Sequence, residues 1–103
     1  MSQNNIVICR MEACHVPQIA ELEKVCFSDP WVEASIASEL ENPLSLWLVA
    51  MDGDRVAGYV GSQSVLGEAD MMNIAVSPDY RRQGIAKLLL QALQQSLAAQ
   101  EVF

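Results

Sequence analysis

The sequence predicts a small α/β domain in which strands and helices alternate along the chain. Its 103 residues are enough for a single domain and no more. Of these residues, 51% are hydrophobic and 18% are charged, a balance typical of a folded protein rather than a disordered one. Short apolar runs, the pattern of strands, alternate with segments in which apolar residues recur every three or four positions, the pattern of helices.

The first half of the chain predicts one strand followed by two helices. Residues 6–11 are rich in β-branched side chains, which favours a strand. A helix is expected to open at Pro17 and to stop within residues 27–31, because a residue that precedes proline disfavours helical angles. A second helix is predicted for residues 32–41, where an Asn-Pro pair follows. The residues expected on the buried face of the first helix are Ile19, Leu22, Val25 and Cys26.

The middle of the chain predicts a hairpin and a further strand. Residues 44–51 are almost continuously apolar, which indicates a strand buried on both faces. An Asp-Gly-Asp turn then joins this strand to an antiparallel partner at residues 55–66. Gly58 and Gly61 in the partner indicate a bulge or a close approach of two backbones. A third strand of this group is expected at residues 69–76.

The last part of the chain predicts a long amphipathic helix over residues 84–99 and the start of another strand at residues 101–103. With the strand at residues 69–76, these elements have the form of a βαβ crossover, in which the two strands run parallel. The apolar stripe of the helix consists of Ile85, Leu88, Leu89, Ala92, Leu93 and Leu97.

Charge and cysteine content exclude several classes of function. Six basic and thirteen acidic residues give a net charge of −7, which argues against binding to nucleic acid or to an anionic membrane. No apolar run approaches the roughly 18 residues of a membrane helix, and the first residues lack the pattern of a secretion signal. The three cysteines form no CxxC pair, so we expect no disulfide framework, no metal site and a cytoplasmic location.

Three of the six basic residues lie within seven positions, where a strand gives way to a helix. They are Arg81, Arg82 and Lys87. The first turn of a helix has unpaired N–H groups and a partial positive charge, so it binds phosphate well. A small residue at Gly84 and at Ala86 would let a phosphate approach the backbone. This pattern predicts a pyrophosphate site; the alternative interpretation is a solvated basic turn with an ordinary glycine.

These residues resemble the GNAT superfamily of acetyl-CoA-dependent N-acetyltransferases. The family signature, [Q/R]xxGx[G/A] between a strand and a helix, is matched by Arg81, Gly84 and Ala86. Within the superfamily the sequence is similar to ribosomal-protein-alanine N-acetyltransferases. That similarity rests on Phe27-x-x-Pro30-Trp31, Glu39-Leu40 and Glu68-Ala69. The family usually has Ser or Thr after the Pro-Trp pair, whereas this chain has Val32.

The resemblance implies a mixed sheet flanked by helices, with one incomplete domain over residues 1–103 that lacks the C-terminal strands and helix of the family. Acetyl-CoA, with no metal, would lie between the strand at residues 69–76 and the one beginning near Val102. Its pantetheine arm would bond to backbone groups of one strand, and its pyrophosphate to N–H groups of the following loop. The implied cofactor residues are Ile74, Ala75, Val76, Arg81, Arg82, Gln83, Gly84, Ile85, Ala86 and Lys87.

The implied reaction is direct attack of a protein N-terminal α-amine on the thioester, with a ribosomal protein as the expected acceptor. The family's general base and general acid would lie beyond Phe103, so no catalytic residue is assigned. Phe27, Pro30 and Trp31 are candidates for the wall of the acceptor groove, or for simple packing between two helices. Two alternatives stay open. One is transfer to a small-molecule amine, and the other is a non-catalytic acetyl-CoA-binding domain that dimerises or exchanges a strand at its open C-terminal edge.

Overall fold

The computed structural model describes residues 6–65 and 68–99. Its strands are β1 (Ile6–Arg10), β2 (Ser45–Asp52), β3 (Arg55–Val65) and β4 (Glu68–Val76). Its helices are α1 (Val16–Cys26), α2 (Glu33–Ser38) and α3 (Ile85–Ala99), and short 3-10 turns lie at Ala13–His15, Glu39–Glu41 and Pro78–Tyr80. The predicted order of elements is confirmed over these residues. The strand expected at residues 101–103, and its parallel pairing, lie outside them.

The four strands form one antiparallel meander in the order β1-β2-β3-β4. The register slips by one residue between Ala50 and Met51 and again between Gly61 and Ser62. The bulge or close approach predicted for the β3 glycines is confirmed. A Cβ at Gly61 would lie 2.6 Å from the ring of Trp47. Only a residue without a side chain fits there, which lets β3 pass close to the indole.

Each face of the sheet carries its own apolar core. Alternate side chains of a strand point to opposite faces, so Trp47 and Val49 pack against α1 and α2, while Leu46 and Leu48 pack against α3. The continuous burial of β2, from Leu46 to Ala50, follows from this two-sided packing and confirms the sequence prediction.

Two residues expected in the buried stripes are exposed. Val25 is 65% exposed, because the buried face of α1 runs from Ile19 to Glu23, and Val25 lies on the other side of the helix. Leu88 is 42% exposed, since α3 buries Ile85, Leu89 and Leu93 at four-residue steps and Leu88 lies at the margin of that stripe. In α1 the buried face includes an ionisable residue, Glu23, at a core position.

Candidate functional site

The outer edge of β4 presents backbone groups of the residues predicted to bind a pantetheine arm. The Ser77 N–H donates to the Ala57 carbonyl at 2.8 Å, and bonded pairs alternate along an antiparallel ladder. Ala75 therefore forms a bonded pair with Tyr59, with its side chain buried. The backbone N–H and C=O groups of Ile74 and Val76 point away from β3. Among residues 6–65 and 68–99 no further strand pairs with this edge of β4, so its backbone groups could bond to an extended ligand.

The connection from β4 to α3 contains two residues with left-handed backbone angles. Arg82 has φ +66°, and it is the one residue other than glycine with positive φ in the described part of the chain. Gly84 has φ +78°, and a Cβ placed on it would meet no atom within 4 Å. The space beside Gly84 is thus unfilled by the protein. Glycine is required here for its backbone angles, and it also leaves that space free.

The start of α3 offers unpaired backbone donors to this space. The helix's first bond runs from the Leu88 N–H to the Gly84 carbonyl, 3.1 Å, so the three preceding N–H groups have no intrahelical partner. A cavity of about 270 Å³ adjoins them. It is lined by Val76, Tyr80, Arg81, Arg82, Gly84, Ile85 and Ala86, which include six of the ten predicted cofactor residues. Gln83 and Lys87 are exposed beside it, and Ile74 packs partly buried against the α3 core.

The side chain of Arg81 folds back onto the edge of β4. Its Nε donates to the Val76 carbonyl at 3.2 Å, and a terminal nitrogen lies 3.5 Å from the Cys26 sulfur at the end of α1. The Cys26 thiol also points at the Val76 carbonyl, 3.9 Å away. A ligand that bonded to the Val76 carbonyl would have to displace the Arg81 side chain. A ligand that bonded to the N–H groups at the start of α3 would not have to displace it. Cys26 was not among the predicted site residues.

The hairpin between β2 and β3 holds the turn that precedes the arginines. The Tyr80 hydroxyl donates to an Asp52 carboxylate oxygen at 2.6 Å, and the Arg55 guanidinium lies 5.1 Å from the Tyr80 ring centroid while it pairs with Asp79. The bond to Asp52 is the main reason why the pKa of Tyr80 is raised. The sequence around Asp52 predicts only a turn, because nothing local indicates that its partner lies 28 residues away.

The turn at residues 27–31 packs on the α1 and α2 side of the sheet. Phe27 and Trp31 are partly buried against that core, and Pro30 is half-buried. Trp31 meets Trp47 edge to face with ring centroids 5.5 Å apart, and Trp47 stacks on Tyr59 at 5.7 Å. The packing described by the alternative interpretation is present. The groove function of these residues stays a prediction.

Glu23 connects this turn to the sheet, and sequence analysis missed it. Its side chain is completely buried and accepts hydrogen bonds from the Trp31 N–H (2.9 Å), the Asn73 amide (2.6 Å) and the Tyr59 hydroxyl. Burial, which disfavours the charged form, raises its pKa; the bonds from Trp31 and Asn73 oppose that shift. The available signal was its spacing, four residues after Ile19 on the apolar face.

Residues 6–65 and 68–99, which the structure describes, meet the requirements of neither a metal site nor a membrane-spanning helix. No group of three or more His, Cys, Asp or Glu side chains is placed to hold a metal ion. None of the helices there has the length and apolarity that crossing a membrane requires.

Comparisons with known proteins agree with this fold. The bS18-alanine N-acetyltransferase of Escherichia coli K12, which acts on a ribosomal protein by its name, is 34% identical over 86 residues. That match covers 84% of this chain and 57% of the enzyme. The crystal structure of the Escherichia coli enzyme superposes with a TM-score of 0.84 at 32% identity, over 94% of this chain and 62% of that one.

A second solved structure shows the fold alone. The PaiA N-acetyltransferase of Thermoplasma acidophilum, determined in complex with coenzyme A, has a TM-score of 0.83 at 15% identity. The match covers 99% of this chain and 76% of the PaiA chain. The chain spans 52–57% of the length of the curated bS18-alanine N-acetyltransferases of Salmonella typhimurium and Escherichia coli. The model of the acetyltransferase (GNAT) family matches residues 16–102, and the chain belongs to that family.

Proposed function

We propose that this chain binds acetyl-CoA and transfers its acetyl group to the α-amine of a protein that begins with alanine, such as a ribosomal protein. The observation that carries the proposal is the loop from Arg81 to Ala86, which meets the open edge of β4 at the start of α3. The acceptor class is supported by the names of relatives that are 34–37% identical.

The cofactor has two parts that suit the two surfaces of this site. Its pyrophosphate would accept hydrogen bonds from the N–H groups at the start of α3, where the helix dipole favours an anion. Arg82 and Lys87 lie close by in the chain and add positive charge in a protein whose net charge is −7. The pantetheine arm carries amide groups, which can bond to the backbone of Ile74 and to the Val76 N–H as an added strand does, while Arg81 keeps the Val76 carbonyl.

The reaction needs only the amine, the thioester and proton transfer. The nitrogen lone pair attacks the carbonyl carbon, and backbone N–H groups stabilise the oxyanion that forms. The C–S bond then breaks, and the thiolate of coenzyme A leaves. The amine loses its proton to a base or to a chain of water molecules, and the thiolate gains one from an acid or from water. No residue of this chain is assigned either role. None of the free thiols, Cys9, Cys14 and Cys26, is required as a nucleophile.

Isothermal titration with acetyl-CoA tests the cofactor site. We expect the full chain to bind acetyl-CoA and Gly84→Glu to lose at least about tenfold in affinity, because a carboxylate beside the pyrophosphate repels it. Gly53→Glu is the matched control: Gly53 also has positive φ (+59°) and free space around its Cβ, but it lies in the hairpin turn. Equal affinity in both variants, or no binding by the folded wild-type chain, would contradict the proposal.

A screen of acceptors tests the second half of the proposal. Peptides with a free N-terminal alanine are incubated with the chain and acetyl-CoA, and mass spectrometry measures the gain of one acetyl group. The same peptides with a blocked N-terminus, and small polyamines and aminoglycosides, serve as controls. We expect acetylation of the free alanine peptides; acetylation of the small amines alone would favour the small-molecule alternative.

A further inference from the structure

Glu23 is a buried carboxylate without a cation beside it. The two ion pairs among residues 6–65 and 68–99 lie elsewhere, between Lys24 and Glu21 and between Arg55 and Asp79. The three donors that bond to the Glu23 side chain are neutral. Its pKa is raised, so the folded protein bears a cost for keeping it charged. Its neighbours on the same face, Ile19 and Leu22, are apolar. A leucine in place of Glu23 would avoid the cost of the charge but would leave the three donors without this acceptor.

The three donors come from three different parts of the fold. The Trp31 N–H belongs to the turn that follows α1, the Tyr59 hydroxyl to β3, and the Asn73 amide to β4. A backbone N–H group and an amide NH₂ group donate hydrogen bonds and do not accept them, so two of the three bonds need an acceptor at this place in the core. Both oxygens of the carboxylate are used: one faces Trp31, and the other faces Tyr59 and Asn73.

The position of Asn73 gives these contacts a functional meaning. Asn73 directly precedes Ile74, the first residue of the β4 edge proposed to hold the pantetheine arm. Trp31 stands at the end of the turn proposed to wall the acceptor groove. One carboxylate therefore fixes the acceptor side and the cofactor side of the same site to each other, across 42 residues of sequence. The distance between an attacking amine and the thioester depends on that spacing.

We propose that Glu23 is a positioning residue that holds the turn at residues 27–31 in register with the edge of β4, and so places the acceptor amine at the thioester. It acts through Trp31 and Asn73 and touches neither substrate. The inference rests on the proposed function, because it assumes that acceptor and cofactor meet at this edge.

The test compares two ligands that differ only in the acceptor. One is coenzyme A; the other is a conjugate in which its sulfur is joined through an acetyl bridge to the α-amine of an alanine-first peptide. Isothermal titration of the full chain measures both affinities. We expect the wild type to bind the conjugate about tenfold more tightly, and Glu23→Leu to lose this advantage while its affinity for coenzyme A stays within about twofold.

Two further variants separate positioning from folding. Glu23→Gln keeps an amide oxygen for the Trp31 N–H but places an NH₂ group opposite the Asn73 amide, so its advantage should lie between those of the wild type and Glu23→Leu. Glu21→Leu changes an exposed carboxylate on the same helix and should retain all of it. An advantage that survives in Glu23→Leu, or that is missing from the wild type, overturns the inference but leaves the cofactor site intact. Absence of coenzyme A binding by the wild type overturns the proposed function and this inference with it.

Hydrogen exchange on the wild type decides the question even if Glu23→Leu does not fold. The Trp31 amide should exchange at least about a hundredfold more slowly than an unstructured amide, and the conjugate, unlike coenzyme A alone, should slow it further. An unprotected Trp31 amide, or one that responds equally to both ligands, overturns the inference.

Discussion

Arg82 and Glu23 each carry a local penalty that a fold selected for stability alone would avoid. A residue other than glycine in the left-handed region costs roughly 1–2 kcal/mol, and Arg82 has φ +66°. Glu23 keeps a carboxylate in a core that contains no cation beside it among the described residues. Such penalties concentrate where a protein must hold a ligand or a geometry. Glu23 bonds to Asn73 on β4, and Arg82 lines the same cavity as Val76 at the end of that strand.

The raised pKa of Glu23 predicts a pH-dependent stability. The carboxyl of the unfolded chain titrates near 4.5, and the carboxyl of the folded chain titrates above that value. Between the two pKa values the folded state holds the proton and the unfolded state does not, so the free energy of unfolding falls as pH rises through this window. Above the folded pKa the full cost of the charged group is present.

Urea unfolding followed by circular dichroism from pH 4.5 to neutrality measures this dependence. We expect the free energy of unfolding of Glu23→Gln, relative to the wild type, to rise with pH across the window, since the amide does not titrate. Glu21→Gln, at an exposed site, should follow the wild-type curve. Parallel curves for Glu23→Gln and the wild type would show that Glu23 has an ordinary pKa.

At the scale of elements, the hairpin and the turn before α3 act as one unit. Asp52 and Arg55 flank the β2–β3 turn and contact Tyr80 and Asp79 from two sides. Tyr80 also lines the cavity at α3, and Arg81 and Arg82, which follow it directly, line the cavity as well. The hairpin therefore supports the loop from outside the site, although its own residues lie 24 to 28 positions earlier in the chain.

Removal of the Tyr80 hydroxyl tests this support. Tyr80→Phe keeps the ring beneath Arg55 and loses only the bond to Asp52, so we expect the free energy of unfolding to fall by about 1 kcal/mol. We also expect weaker binding of acetyl-CoA, because the loop is less firmly held. In a double-mutant cycle, Asp52→Ala should add little once the hydroxyl is gone, and fully additive effects would show that the two side chains do not interact.

The elements that sequence analysis predicted are those with a local signal. Local patterns predict α3 from its four-residue repeat, the hairpin from its Asp-Gly-Asp turn and β2 from its apolar run. The bounds of these elements are confirmed to within a few residues. The long-range contacts were not predictable in this way. The bond between Glu23 and Asn73 joins residues 50 positions apart, and it exists only once the β4 register is set.

The candidate site likewise contains residues that a local sequence pattern predicts and residues that it does not. Arg81, Gly84 and Ala86 were found because their spacing and their place before a helix are visible in sequence. Cys26, Glu23 and Asp52 reach the site or its supports only through tertiary packing. The exposure of Val25 has the same origin, since the helix turns a glutamate inward in its place.

At the scale of the whole molecule, one edge of the sheet offers its backbone to two kinds of partner. The groups of Ile74 and Val76 that point away from β3 can bond to a pantetheine arm or to a strand of a second chain. Met71, 52% exposed on the same strand, adds apolar surface to that edge. We therefore predict that the chain self-associates through β4 and that the cofactor competes with this association.

Sedimentation velocity over a range of concentrations tests this prediction. We expect a dimer whose fraction rises with concentration and falls when acetyl-CoA is added at saturation. Gly84→Glu, which weakens cofactor binding, should dimerise without that response. A monomer at every concentration, or a dimer that acetyl-CoA leaves unchanged, would show that β4 is not the contact.

The aromatic stack has an optical consequence. The chain contains two tryptophans, and both lie in this stack, with Tyr59 against the second ring. Tryptophan emission from this protein thus originates beneath α1 and α2, on the far side of the sheet from the core that α3 covers. Tryptophan fluorescence therefore reports on the α1 and α2 face of the sheet. A change on the α3 face alters the emission only if it also moves the strands.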